Sequence, residues 1–323
     1  MNKKTIPIFF AIDDNYAAAL SVTLISLKQN ISKNNQYRVI ILSTKLSAEN
    51  KELLSSIQEG NLTIEFNDVT EEMKKIETSL SLRDYYTLTT YFRFFISILY
   101  KDLNKALYLD SDLVITTDIA KLYNTRLGVN LLAAIPDDVI QIYAPFYNYV
   151  QTTLRIKKER YFNAGVLVMN LREFREQNIF EQFIKLSQIR KFPVAQDQDY
   201  LNVICKDRIV YLPHIWNRTA FKDVSNSTSV PNIIHLKLSY KPWHYSNIMY
   251  EDIFWDYAKY SPYEKELYRL RDSYTHEEKE RDRLGAIKLF ELCEKEIQES
   301  KDSEYNLEED IFDGNMESGR VII

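Results

Sequence analysis

The sequence predicts an α/β protein with a mostly parallel central sheet flanked by helices and a helical C-terminal extension. Three observations carry that reading. The apolar run Ile6-Pro-Ile-Phe-Phe-Ala-Ile12 is unbroken over strand length, as expected of a strand covered on both faces. Strand-like and helix-like segments alternate after it, the pattern of a parallel, Rossmann-like sheet. From residue 250 onward only helical segments remain, followed by an acidic, poorly periodic tail.

Composition narrows the function class before any motif does. With 323 residues, 45% of them hydrophobic, and only six Gly and eight Pro, the chain has room for a large core and is not a repeat or a flexible linker. The net charge of −5 is unevenly spread: residues 275–323 hold 15 acidic and 7 basic residues, leaving 31 acidic and 34 basic residues in the body. A nearly neutral body is not the footprint of a nucleic-acid binder. Two cysteines, Cys205 and Cys293, lack metal-ligand spacing and point to a reducing, cytoplasmic setting. The opening apolar run stops at Asp13, too short for a secretion signal or a membrane span, and no transmembrane segment is expected elsewhere.

Taken in order, the strand at 6–12 ends at Asp13-Asp-Asn15, and an amphipathic helix is expected over 16–29. Residues 37–42 form a second strand, Ser47 starts a second helix, and 62–66 form a third strand. Residues 87–100 read as an apolar helix with one charge, Arg93, among Phe92, Phe94 and Phe95. A lone Arg there needs a carboxylate or phosphate, either as a structural ion pair or as a ligand contact. In the run 105–115, residues 107–109 and 113–115 read as buried strand, with Asp110-Ser-Asp112 interrupting it at the end of the fourth strand. Asp118 caps a short helix, and 130–135 form another strand ending at Pro136-Asp-Asp138.

Further on, Asn163 and the small pair Ala164-Gly165 precede an apolar strand, where small residues let a ligand or neighbouring backbone come close. Gln196-Asp-Gln-Asp199 opens a helix, where acids and amides serve equally as caps. Residues 232–235 form a short strand ending in His235, with Lys241-Pro-Trp-His244 beyond it. Helices are expected over 250–260, 263–273 and 277–299. The domain reading is a catalytic 1–248 and a helical extension 249–323 with a loose acidic tail.

The Asp110-Ser-Asp112 interruption carries the chemistry. Buried carboxylates cost several kcal/mol if charged and unpaired, about 2–7 even for neutral polar groups. Residues two apart in extended backbone share a face, so both acids can meet one divalent cation. The alternative is a turn former or cap. In open parallel sheets ligands sit outside the carboxyl ends of the strands, where Asp13, Asn15 and this pair fall. No Gly-x-Gly-x-x-Gly follows the first strand and no Gly-x-x-x-x-Gly-Lys occurs, so phosphates would be held by metal and side chains.

Together the pieces resemble, in the same order, the family 8 glycosyltransferases. The matching stretches are Ala11-Ile-Asp-Asp-Asn-Tyr16, Thr90-Tyr-Phe-Arg93, Tyr108-Leu-Asp-Ser-Asp112, Tyr161-Phe-Asn-Ala-Gly165, Asp197-Gln-Asp199 and His235 with Lys241-Pro-Trp243. The resemblance implies a GT-A fold, a UDP-sugar donor carrying glucose or galactose, Mn²⁺ or alternatively Mg²⁺, and transfer with retention to a glycan or glycoconjugate acceptor. It implies Asp110, Asp112 and His235 as metal ligands, with Ser111 beside them at the donor. Ala11, Asp13 and Asn15 would take the nucleoside, and Arg93, Asn163, Ala164 and Asp197 would surround the donor sugar. Gln198, with Asp197, would act at the reacting carbon, and Lys241 would reach the diphosphate. One departure stands out: Leu238 occupies the place where the family commonly has Gly.

Two other classes share features with this reading. A sugar nucleotidyltransferase would also pair Asp residues on such a sheet, but with a Gly-rich loop after the first strand that is absent here. A non-catalytic nucleotide-sugar or glycan-binding protein would keep the fold without Asp110, Asp112, His235 and Gln198 all intact. Residues 137–160 and 214–230 are the acceptor-loop candidates. Without ligands, residues 236–241 are expected to be more mobile, with His235, Lys237 and Lys241 facing an open cleft.

Overall fold

The computed structural model describes residues 3–74, 76, 88–221 and 230–302. Among these, ten strands are formed: β1 (Lys4–Ala11), β2 (Asn35–Ser43), β3 (Leu62–Asp68), β4 (Ala106–Leu109), β5 (Leu113–Ile115), β6 (Leu132–Pro136), β7 (Phe162–Met169), β8 (Ile209–Tyr211), β9 (Arg218–Thr219) and β10 (Ile233–His235). Seven make a sheet of order β3-β2-β1-β4-β7-β6-β8, and three make a second sheet of order β5-β10-β9. In the larger sheet β3, β2, β1 and β4 are mutually parallel, β8 is parallel to β6, and β7 alone opposes its neighbours. The mostly parallel sheet is as the sequence predicts.

Two cores follow from the strand period of two. Ile6, Ile8 and Phe10 of β1 join Val39 and Ile41 in the core on one face. Phe9, Ile40 and Leu42 point into the core on the other. Ser47 caps the helix Ala48–Ser55 by accepting from the Asn50 N–H at 3.2 Å. The segment expected as a helix over 87–100 winds as a 3₁₀ helix over Leu88–Phe95 and as an α-helix only over Ile96–Leu99, with Thr87 outside the described residues. Its β-branched and aromatic residues are weak α-formers, and Phe94 stacks on Phe183 at 3.8 Å between ring centres.

The two strand-like stretches on either side of Asp110-Ser-Asp112 belong to different sheets. After β4 the chain turns through Asp110-Ser-Asp112 and enters the second sheet at Leu113. The free edge of β5 is closed by side chains of helix α1 (Ala17–Asn30). Thr23 Oγ1 accepts from the Leu113 N–H at 3.1 Å, Ser26 Oγ accepts from the Ile115 N–H at 3.0 Å, and Asn30 Nδ2 donates to the Ile115 carbonyl at 3.0 Å. Residues 23, 26 and 30 share one helical face, so the polar stripe of α1 meets a strand edge instead of water.

α1 is consequently not a surface amphipathic helix: residues 17–27 are all buried. The helices Glu251–Ala258 and Glu264–Ser273 cover its remaining side, with Phe254, Ala258 and Leu267 in the same core. The long helix His276–Asp302 lies against the helix Ala144–Thr152 and puts Cys293 into the second core. The acidic tail read as loose, 303–323, lies outside the described residues. No helix of the described residues is long and apolar enough to cross a membrane.

Candidate active site

Topology collects the acids at one edge of the sheet. β4 ends at Leu109 and delivers Asp110, whose N–H donates to the Gly165 carbonyl of β7 at 2.8 Å. β7 runs antiparallel, so its first residues, Phe162 to Gly165, lie at that same edge. β10 pairs with β5, placing His235 opposite Leu113, and the Leu236 N–H donates to the Asp112 carbonyl at 2.9 Å. One ligand atom each from Asp110, Asp112 and His235 fall within 4.8 Å of one another. His235 Nε2 is 3.2 Å from Asp112 Oδ1 and 3.7 Å from Asp110 Oδ2.

This cluster sits directly over Gly165. A Cβ at that position would lie 2.4 Å from both Asp110 Oδ2 and His235 Cε1. The small residue expected to allow a close approach therefore admits two of the three side chains themselves.

The surrounding charges are paired. Arg93 is buried, with Nη2 3.2 Å from Asp110 Oδ1, Nε 3.0 Å from Asp197 Oδ2, and the guanidinium over the Tyr108 ring at 4.2 Å. Its Nη1 also donates to the Ala164 carbonyl. Arg93 Nε directs its N–H to the Thr90 carbonyl at 2.9 Å, which leaves Asp197 Oδ2 with a charge contact and no aligned hydrogen bond. Burial pushes the Asp197 carboxyl up to about 7, with Arg93 pulling the other way. Burial also opposes ionisation of Asp112, but Lys241 and His235 outweigh it and hold the carboxylate well below the usual range.

The expectation that His235, Lys237 and Lys241 face an open cleft is not met; His235 is buried beside Asn217. Lys241 is buried, and its ammonium bonds Asp112 Oδ2 and the Leu236 carbonyl. Lys237 Nζ lies 2.8 Å from Asp137 Oδ1. Two buried acids, Asp112 and Asp137, draw both cations in, because an unpaired buried charge costs more than ordering a lysine. Between them Leu238 adopts φ +66°, the left-handed backbone that Gly takes without strain.

Around Gln198, side-chain amides form a network. Gln198 Oε1 accepts from Asn163 Nδ2 at 3.0 Å and from the Ala164 N–H at 2.9 Å, while Gln198 Nε2 lies 3.2 Å from the Tyr161 hydroxyl and 3.4 Å from Asp137 Oδ2. Gln198 and Asp197 open the helix Asp197–Cys205. Asp199 is fully buried and takes the hydroxyls of Tyr161 at 2.6 Å and Tyr149 at 2.9 Å and the Ala195 N–H at 2.9 Å. Gln196, which precedes that helix, has φ +50° and a buried side-chain amide without a hydrogen-bond partner among the described residues.

Of the residues singled out in the sequence, Arg93, Asp110, Asp112, Asn163, Ala164, Asp197, Gln198, His235 and Lys241 thus converge. Ser111 is buried between the two acids, its carbonyl 2.9 Å from Thr23 Oγ1. Ala11, Asp13 and Asn15 stand at the end of β1, which adjoins β4; Asp13 Oδ1 accepts from the Asn15 N–H at 3.0 Å, and Asn15 is exposed. Sequence reasoning passed over Asp137 and Asn217. Asp137 had a usable signal, a carboxylate at the carboxyl end of β6. Asn217, whose Oδ1 lies 2.8 Å from His235 Nδ1, had none, since only the fold brings it there.

Comparison with known proteins gives the family. The family model described as Glycosyl transferase family 8 matches residues 7–247. A Haemophilus influenzae protein whose name assigns it provisionally to the glycosyltransferases is 30% identical over 221 residues, 67% of this chain and 64% of its own length. The bifunctional glycosyltransferase WbbM superposes with a TM-score of 0.73 at 26% identity, over 84% of this chain and 53% of that one. The galactosyltransferase LgtC, solved with donor and acceptor sugar analogues, superposes with a TM-score of 0.67 at 26% identity, over 80% of this chain and 96% of that one. This chain therefore spans only about two-thirds of the Haemophilus relative and about half of WbbM. The sheet, the helices around it and these likenesses make the fold GT-A, and the chain belongs to glycosyltransferase family 8.

Proposed function

We propose that this protein transfers glucose or galactose from a UDP-sugar to a glycan or glycoconjugate acceptor, with retention of anomeric configuration and dependence on Mn²⁺, or alternatively Mg²⁺. The observation that carries the reading is the meeting of Asp110, Asp112 and His235 over Gly165. Two carboxylates and an imidazole suit a divalent cation of this kind, and Gly165 clears the space for them, so the donor set fits. When bound, such a cation supplies Lewis-acid stabilisation of the leaving diphosphate. Lys241, already at Asp112, is within the loop that would answer the diphosphate charge. Asp13, Asn15 and the Ala11 backbone would take the nucleoside.

Arg93 and Asp197 are assigned to the donor sugar. Gln198 is assigned to the space beside the reacting carbon as an orienting group rather than a nucleophile. Its Oε1 already accepts two hydrogen bonds, which supports a front-face path in which the departing phosphate receives the acceptor proton. We assign the catalytic framework to residues 1–248 and a bracing role to the helices from 249 onward. Both cysteines are buried thiols, which supports a reducing, cytoplasmic setting.

The test is a panel of UDP-sugars scored for metal-dependent hydrolysis, which needs no acceptor, with Asp112→Asn as control. Turnover of UDP-glucose or UDP-galactose that vanishes with EDTA and with the variant is the expected result. Hydrolysis indifferent to both would defeat the metal assignment, and a β-linked product from an α-linked donor, read by NMR, would defeat retention.

A further inference from the structure

Behind the candidate metal ligands runs a chain of buried amides whose hydrogen-bond polarity has only one consistent direction. It starts at the Gly165 backbone N–H, a donor only, which lies 3.0 Å from Asn163 Oδ1. At the other end of the same amide, Asn163 Nδ2 lies 3.0 Å from Asp137 Oδ2. Asp137 is fully buried, yet Lys237 and its hydrogen bonds keep its carboxyl below the usual range, so it acts as an acceptor. A donor on one side and an acceptor on the other leave Asn163 a single orientation.

That orientation propagates. Asn163 Oδ1 has a second neighbour, Asn217 Nδ2, at 2.8 Å, and can only accept from it. Asn217 must therefore turn its Oδ1 toward His235, where Nδ1 lies 2.8 Å away. A carbonyl oxygen cannot donate, so this contact is a hydrogen bond only if His235 Nδ1 carries the proton. Asn217 and His235 are 4% and 2% exposed, so water does not compete for either partner.

We infer that Asn217 is the positioning residue of this centre. Through Asn163 it passes the polarity set by Gly165 and Asp137 to His235, fixing a proton on Nδ1 and directing Nε2 at Asp110 and Asp112. An imidazole anchored in this way is held in rotation and in tautomer, so that Nε2 is the nitrogen presented to a metal. The same relay joins the ligand side to the sugar side, because Asn163 Nδ2 also lies 3.0 Å from Gln198 Oε1.

The inference rests on the metal reading above, and its test separates the two. Mn²⁺ affinity of the full chain would be measured by calorimetry for wild type, Asn217→Ala and Asn217→Asp. Removal of the acceptor in Asn217→Ala should cost about 10–100-fold, the usual effect of losing a partner behind a metal-binding His. Asn217→Asp keeps an acceptor facing Nδ1 but sets a carboxylate oxygen against Asn163 Oδ1, so it should lose clearly less affinity than Asn217→Ala. A packing role alone predicts the reverse order, since a carboxylate against Asn163 Oδ1 is repulsive whereas a methyl group is not. Unchanged affinity in Asn217→Ala, or an equal loss in Asn217→Asp, overturns the inference.

The second measurement does not depend on the variants folding or on any metal. With four histidines in the chain, the His235 ring is assignable by ¹⁵N NMR. Nδ1 should be protonated in wild type, both in EDTA and with Mg²⁺. An unprotonated Nδ1 overturns the relay. If wild type binds no Mn²⁺ but Nδ1 is protonated, the metal reading fails and the relay stands.

Discussion

Gly165→Ala isolates the candidate metal centre with a single methyl group. The added carbon would lie 2.4 Å from Asp110 Oδ2 and from His235 Cε1, and 3.0 Å from Asp110 Cγ. Non-bonded atoms rest at about 3.5–4.0 Å, so carboxylate and imidazole must each retreat by about 1 Å or the strand must move. Metal sites tolerate about 0.2 Å in ligand distance, so neither group could keep its bond to a cation shared with Asp112. Disturbing only a partner behind a ligand lowers affinity about 10–100-fold. Displacing two of three ligands should reach about 100-fold or more, near 2.7 kcal/mol. Overpacking should cost about 1–3 kcal/mol of stability, which leaves a protein with this much core folded. Calorimetric titration of Mn²⁺ with UDP present, alongside thermal denaturation, reads both effects. A folded Gly165→Ala protein with wild-type Mn²⁺ affinity would refute the assignment of Asp110 and His235 to one cation.

The remaining predictions concern the loop and the buried acids. Lys241→Ala should weaken UDP more than uridine, and should tighten Mn²⁺ alone, because Asp112 loses a competing cation; calorimetry showing neither change would make Lys241 structural. Leu238→Gly should relieve about 1 kcal/mol of left-handed backbone strain, partly offset by the freedom of Gly in the unfolded chain, leaving donor binding equal or tighter. Weaker binding together with a lower Tm would mean that the Leu238 side chain is needed. For Asp197, burial raises the folded carboxyl to about 7, above its unfolded value of about 3.9. Its stability contribution is whole below about pH 4 and is lost as pH rises toward 7, so stability relative to Asp197→Asn should fall over that interval and then level off. A rise over the same interval would show that Arg93 keeps the carboxylate ionised instead.

Much of this protein was legible in the sequence because strand and helix periods are local. Ile6 to Ile12, Ser47 and the alternation after them specify parallel strands with covered faces, since each residue's side is set by its neighbours in the chain. Asp110, Asp112, Arg93 and His235 were conspicuous for a related reason: charge inside an apolar run requires a partner, and the requirement shows without the partner's identity. What the sequence did not contain was which partner. Asp110 and Asp112 belong to a turn between two sheets, and α1 is buried all round because helices more than 200 residues later cover it. Arg93 answers Asp110 and Asp197, Lys237 answers Asp137, and Asn217 answers His235, at separations from 17 to 104 residues. Such pairings arise where strand ends meet, and only the order β3-β2-β1-β4-β7-β6-β8, with β7 reversed, brings Asn163 and Gly165 under the acids. The sequence determined that buried charges had to be neutralised; the tertiary structure decided by what, because that depends on which strand ends share an edge.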